Sequence, residues 1–210
     1  TPEVVITVGG TNGKGTTVSM IEATYRSAGY NVGCYTSPHL IKYCERIRLS
    51  GLDVSPELLC EAFSAVDNAR GNIPLTYFEF GTLAAFYIFS HLRIDVAILE
   101  VGMGGRLDAV NLLNPDLAIL CTIDIDHQAW LGSTREKIGA EKAGIFRYRG
   151  KVVVADPDPP SSVISRLTIL QCEAQQHYKN FEVKLSGQNV WHWRHFRDAT
   201  FGVGLPEEVQ

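Results

Sequence analysis

Gly9-Gly10-Thr11-Asn12-Gly13-Lys14-Gly15-Thr16 sets a lysine and two hydroxyl side chains inside a glycine-rich turn, a combination suited to holding phosphate. Glycines let backbone N–H groups converge on an anion, Lys14 can reach terminal phosphate oxygens, and a hydroxyl can approach Mg²⁺. The spacing departs from the general G-x-x-x-x-G-K-[ST] pattern, because Gly15 separates Lys14 from Thr16. A bare glycine turn is the bland alternative, and a lysine between hydroxyls at a helix start weighs against it. Further along, Glu100 closes an apolar run just before a second glycine-rich turn, where a carboxylate either collects a metal or simply meets solvent. His127 follows another apolar run and, taken alone, is an ordinary loop histidine. Lys142, taken alone, is an exposed helix lysine. Thr76-Tyr77-Phe78-Glu79 opens a very apolar stretch, and aromatics so placed are usually core. Lys42, Arg46 and Arg48 could attract an anionic tail or lie in solvent.

These residues need a scaffold that brings strand ends together. Val4-Val5-Ile6-Thr7-Val8 is a continuous β-branched run of the kind found in central parallel strands. Residues 17–28 read as a helix stopped by Gly29, and 31–35 as a short strand. Ser55-Pro56-Glu57 is a helix start, with the helix running to about Ala69, and 78–92 is a buried helix. The segments 95–101, 116–123 and 151–155 are buried strands. Ser133-Thr134-Arg135-Glu136 has the form of a capping box with Ser133 at the cap, opening a helix that ends at Gly144. Strands alternating with helices predict an α/β fold, a P-loop three-layer sandwich with a mostly parallel sheet. Asp156-Pro157-Asp158-Pro159-Pro160 breaks the alternation, and 181–185 and 190–196 read as a small antiparallel β segment near the C-terminus. The expectation is one domain, 1–210, with 156–210 as a β-rich extension.

Composition bounds the partners. The 210 residues suit one domain, and the net charge of −4 gives no basis for nucleic acid or an anionic membrane as partner. No apolar stretch approaches the ~20 residues that span a bilayer, and no signal peptide is visible. The five cysteines show no CxxC spacing, so a reducing, cytoplasmic compartment is expected and a disulfide framework is not.

The G-T-N-G-K-G-T variant resembles the nucleotide loop of the Mur ligase superfamily, the amide-bond ligases of cell-wall and folate metabolism. Three further segments are similar to its folate branch, the dihydrofolate synthase/folylpolyglutamate synthase family. They are Thr36-Ser37-Pro38-His39-Leu40 with Tyr43, Glu45, Arg46 and Arg48, then 99–109 (LEVGMGGRLDA), then Asp126-His127 with Trp130-Leu131-Gly132 and 141–146 (EKAGIF). The likeness covers residues 4–147. It departs at Val110, where the family usually has threonine, and at Ala129, which replaces a frequent acidic residue.

The resemblance implies ATP-driven ligation of L-glutamate to dihydropteroate or to (poly)glutamylated folates through an acyl phosphate. It implies ATP binding by Thr11, Asn12, Gly13, Lys14, Gly15 and Thr16, and two Mg²⁺ sites held by Ser37, Glu100, His127 and a carbamylated Lys142. Lys14, Lys142 and His127 become the catalytic set, and Thr76, Tyr77, Phe78, Glu79 and Leu107 the pterin or folate side. The family's enzymes are further expected to be monomeric and to carry a C-terminal glutamate-ligase domain, so this chain is expected to be the ATP-binding part and inactive alone. Three other readings compete: a P-loop switch or kinase, a UDP-muramyl peptide ligase domain, and a non-catalytic nucleotide-binding module. The first lacks the N-K-x-D motif of GTPases and an arginine-bearing lid. The second is opposed by the segment 36–48.

Overall fold

The computed structural model describes residues 2–186 and 190–196. Strand β1 (Val4–Gly9) runs into the glycine turn, and helix α1 (Lys14–Ser27) leaves it. The helix starts three residues earlier than periodicity suggests, because Gly13 takes a left-handed conformation (φ 85°) that lets the turn close directly into the helix. Strand β2 (Val32–Tyr35) is followed by two short strands that the sequence does not announce, β3 (Ile47–Leu49) and β4 (Leu52–Asp53). Helix α2 (Pro56–Arg70) begins as expected, with the Ser55 hydroxyl accepting the Leu58 N–H. Helix α3 (Tyr77–His91) then buries Ala84, Ala85, Ile88 and Phe89.

Strands β5 (Val96–Glu100) and β6 (Leu117–Leu120) lie on either side of β1. They are followed by the one-turn helix α4 (Gln128–Leu131), helix α5 (Arg135–Lys142) and strand β7 (Lys151–Val154). The cap of α5 is Thr134 and not Ser133: its hydroxyl accepts the Lys137 N–H. Glu136 does not complete a capping box, because its carboxylate turns away to accept the backbone N–H groups of Ser161 and Ser162.

Beyond Asp156 the chain adds helix α6 (Ser161–Ile169) and strand β8 (Glu173–Gln176) to the main layers. Strands β9 (Phe181–Ser186) and β10 (Val190–His195) then pair antiparallel in a separate small sheet. Helix α6 departs from the expectation that the proline cluster ends the alternation: Pro160 sits at its N-cap, where no intrahelical N–H is needed. Thr1 and positions 187–189 and 197–210 of the expected extension lie outside the described residues.

The main sheet has the order β4-β3-β2-β5-β1-β6-β7-β8, and every pairing is parallel except those that β3 makes with β2 and β4 at one edge. Alternate residues of its central strands face opposite layers. Val96 and Ile98 pack with Val18 of α1, while Ala97 and Leu99 pack with the core beneath α2, α3, α5 and α6. The result is the expected three-layer α/β sandwich. Among the described residues, no helix is long and apolar enough to cross a membrane.

Candidate functional site

Four chain exits meet at the carboxyl edge of the sheet: the glycine loop after β1, Thr36-Ser37 after β2, Glu100 at the end of β5, and residues 121–127 after β6. The register Val8↔Glu100, Tyr35↔Leu99 and Gly9↔Leu120 sets these exits side by side. Such an edge is where parallel sheets place ligands.

The loop is stitched to the segment after β6. The Thr11 N–H donates to Thr122 O at 2.7 Å, and the Thr11 hydroxyl bonds both the carbonyl and the N–H of Asp124. Gly10, at φ 144°, could carry no side chain, because a Cβ there would stand 2.7 Å from the Cβ of Cys121. Gly13 supplies no side-chain acceptor to the first turn of α1, so the N–H groups at that helix start remain available to an anion.

Two lysines converge on one carbonyl. Lys14 Nζ donates to Gly10 O at 2.9 Å and to Thr11 O at 3.1 Å, and Lys142 Nζ donates to the same Gly10 O at 2.9 Å. Lys142 is 4% exposed, not the surface lysine its composition suggests. Burial first, then the neighbouring Lys14, pulls its ammonium from the ordinary 10.5 down to about 8, with Asp126 opposing.

Glu100 is buried, and its Oε2 accepts the Ser37 N–H at 3.0 Å. Its Oε1 faces Gly15, 3.9 Å from where a Cβ would stand. Burial raises the proton affinity of this carboxyl, and the Ser37 N–H, Lys14 and Arg48 lower it. Lys14, Lys142, Ser37 and Glu100 therefore share one cluster. His127 is a left-handed residue (φ 48°) that opens α4, with Nε2 3.5 Å from Asp126 Oδ2; that same Asp126 acts on Lys142.

Glu100 offers carboxylate oxygens and Ser37 a hydroxyl, the hard donor types a divalent cation such as Mg²⁺ takes. No group of three or more His, Cys, Asp and Glu is found among the described residues. A metal there would complete its shell with phosphate and water, the usual manner of Mg²⁺.

The expected pterin residues divide. Thr76 and Glu79 form a reciprocal capping box at the start of α3, a role not read from the sequence: Glu79 N–H donates to the Thr76 hydroxyl and Thr76 N–H to Glu79 Oε2. Glu79 and Leu107 line one cavity of about 340 Å³ with Thr82, Asp108 and Asn111. Thr76 and Tyr77 line another, of about 500 Å³, with Tyr43, Phe63 and Phe80. Phe78 packs across Gly102 and lies 5.8 Å from the Tyr35 ring. Of the basic residues, Lys42 is exposed, Arg46 is buried with Nε donating to His39 Nδ1, and Arg48 is paired to Glu22.

Sequence reasoning missed a brace behind the 121–127 segment. Asp156 is buried and accepts the N–H groups of Ile123 at 2.6 Å and Asp158 at 2.9 Å. Arg135 donates to Ile123 O and Asp158 O and lies 3.4 Å from the Asp156 carboxylate. Only the placement of an aspartate immediately after a buried strand hinted at it. Asp156→Ala leaves two N–H groups and a guanidinium without their acceptor and is expected to cost about 3 kcal/mol, read as a lower urea midpoint. Asp156→Asn keeps an acceptor, and its expected loss is about 1 kcal/mol.

Comparison with known proteins agrees with this architecture. The Mur ligase middle domain family matches residues 8–194. The dihydrofolate synthase/folylpolyglutamate synthase of Escherichia coli (strain K12) is 50% identical over 159 residues, covering 76% of this chain and 38% of that protein. The protein of the same name from Haemophilus influenzae is 44% identical over 190 residues, covering 90% and 43%. A solved structure of E. coli FolC in complex with DHPP and ADP superposes with a TM-score of 0.90 at 42% identity, covering 92% of this chain and 47% of that one. A bifunctional folylpolyglutamate synthase/dihydrofolate synthase with Mn, AMPPNP and L-glutamate bound gives 0.88 at 43% identity, covering 98% and 50%. This chain thus spans half or less of the length of these relatives.

Proposed function

The chain belongs to the Mur ligase middle domain family, and on that premise we propose that it is the ATP- and metal-binding part of a ligase joining L-glutamate to dihydropteroate or to folates. The observation that carries this reading is the convergence of Lys14 and Lys142 on Gly10 O, beside the Ser37–Glu100 contact. The relatives seen with ADP, or with Mn and AMPPNP, support it.

In the proposed reaction, the substrate carboxylate takes the γ-phosphoryl group of ATP and becomes an acyl phosphate. The amine of L-glutamate then displaces phosphate to form the amide. The N–H groups of the glycine loop and the first turn of α1 hold the phosphates. Lys14 swings from the loop carbonyls to the phosphoryl oxygens and offsets the charge developing there. Ser37, Glu100 and His127 would hold two Mg²⁺, with Lys142 as a carbamate. Bound Mg²⁺ supplies charge neutralisation and positioning of the phosphoryl group. The neutral amine that carbamylation requires is accessible because Lys142 titrates near 8. Leu107, Glu79 and the 340 Å³ cavity form the pterin side, with Phe78 at its edge and Thr76 and Tyr77 beyond. Amide formation further requires exclusion of water from the acyl phosphate, a role suited to the portion of the relatives' length that this sequence does not span. Five free cysteines support a reducing, cytoplasmic setting.

Calorimetric titration with Mg-ATP, dihydropteroate and a UDP-muramyl peptide separates the readings. Binding of the first two is expected. Binding of the muramyl peptide without dihydropteroate would move the chain to the cell-wall branch, and ATP binding with neither would leave a nucleotide-binding module.

A further inference from the structure

Glu22 and Arg48 form a paired group just outside the cluster already described. Glu22 lies two turns along α1 from Lys14 and is 5% exposed. Arg48, on β3, sits opposite Cys34 of β2 in the antiparallel register. Both Nε (3.0 Å) and Nη2 (2.8 Å) of Arg48 reach a single oxygen, Glu22 Oε2, and Nη1 lies 3.4 Å from the Thr36 hydroxyl. Glu22 Oε1 is buried without a partner.

As a device for stability this arrangement is poor. A desolvated ion pair with an unsatisfied oxygen gains little over apolar side chains of the same volume. It does, however, span two elements that carry the site. Glu22 is fixed to the helix whose first residue is Lys14. Thr36 immediately precedes Ser37, whose N–H reaches Glu100. On the other side of this loop, Thr36 N–H donates to Arg46 O.

Resting on the nucleotide-and-metal reading of the site, we propose that Glu22 and Arg48 are positioning residues. The pair couples α1, which presents Lys14 to phosphate, to the Thr36-Ser37 loop, which faces the divalent cation with Glu100. Phosphate binding on one side and cation binding on the other then strengthen each other.

The test is a titration of the full 210-residue chain with ATP in EDTA and again in Mn²⁺, with bound Mn²⁺ read by electron paramagnetic resonance. For the wild-type chain, Mn²⁺ is expected to tighten ATP binding. Arg48→Lys keeps the charge but not the two-armed bridge, and Glu22→Gln keeps the shape but not the charge. Both are expected to retain metal-free ATP affinity while the Mn²⁺ enhancement falls about tenfold, ~1.4 kcal/mol. Thr36→Val removes the loop-side contact alone and is expected to lower the enhancement about threefold at an unchanged melting midpoint. Full enhancement in Arg48→Lys and Thr36→Val overturns the proposal. So does a parallel fall of both affinities with the melting midpoint, which marks a purely structural pair. A wild-type chain that binds ATP with no gain from Mn²⁺ also overturns the coupling while leaving the nucleotide reading intact. No ATP binding at all removes both.

Discussion

Replacing Lys14 by methionine is expected to weaken ATP binding by about a hundredfold, ~3 kcal/mol, with no loss of folding stability. In the ligand-free chain the Lys14 ammonium rests on two neutral acceptors, Gly10 O and Thr11 O. Phosphate oxygens replace these with contacts between full charges, which are roughly twice as strong as neutral ones. The variant loses that exchange while Gly10, Gly13 and the ties from Thr11 to Asp124 keep the loop in shape. Calorimetric titration of both chains with Mg-ATP checks this, and an affinity within threefold of wild type would remove Lys14 from phosphate binding. The substitution has a second consequence. Lys14 is one cause of the depressed Lys142 value, so Lys142 in the variant should titrate closer to an ordinary lysine.

The strand ends that lead into the Lys14 loop and carry Glu100 were legible because buried parallel strands are long apolar runs, and glycine marks where each run stops. Ser37 and His127 were located instead by resemblance, since neither stands out from its neighbours by composition. Strands β3 and β4 were not legible: three and two residues carry no periodicity, and pairing with β2 is what holds them extended. The two Ser/Thr-x-x-Glu motifs show why local pattern is not enough. At Thr76 the glutamate returns to the cap, whereas at Glu136 it is drawn to Ser161, 25 residues on. Asp156 and Glu22 escaped for the same reason. Their partners Ile123 and Arg48 lie 33 and 26 residues away, and only the folded sheet brings them together.

The inward turn of Lys142 carries the other large expectation. Lys142→Met should stabilise the metal-free chain at pH 7, in CO₂-free buffer, by on the order of 2 kcal/mol. Holding this ammonium in a buried place beside Lys14 lowers its value from 10.5 to about 8, a cost on the order of 3 kcal/mol. Its bond to Gly10 O returns about 1 kcal/mol, and methionine fills a comparable volume. Because the folded value is the depressed one, the folded chain sheds this proton before the unfolded chain does. Below about pH 8 both states are protonated and the native state bears the whole cost. As pH rises from there towards 10.5 the cost fades, so wild-type stability gains on the variant across that window. Urea midpoints at pH 7 and near pH 10 test the sign, and a variant equally destabilised at both would refute it. A residue that weakens the native state at neutral pH calls for a functional reason. Carbamylation supplies one, since it turns the cation beside Lys14 into an anion and the repulsion into a salt bridge. Bicarbonate should therefore stabilise the wild-type chain and add the mass of one CO₂, and Lys142→Met should show neither response, while a wild-type chain of unchanged mass and stability would leave the carbamate without support.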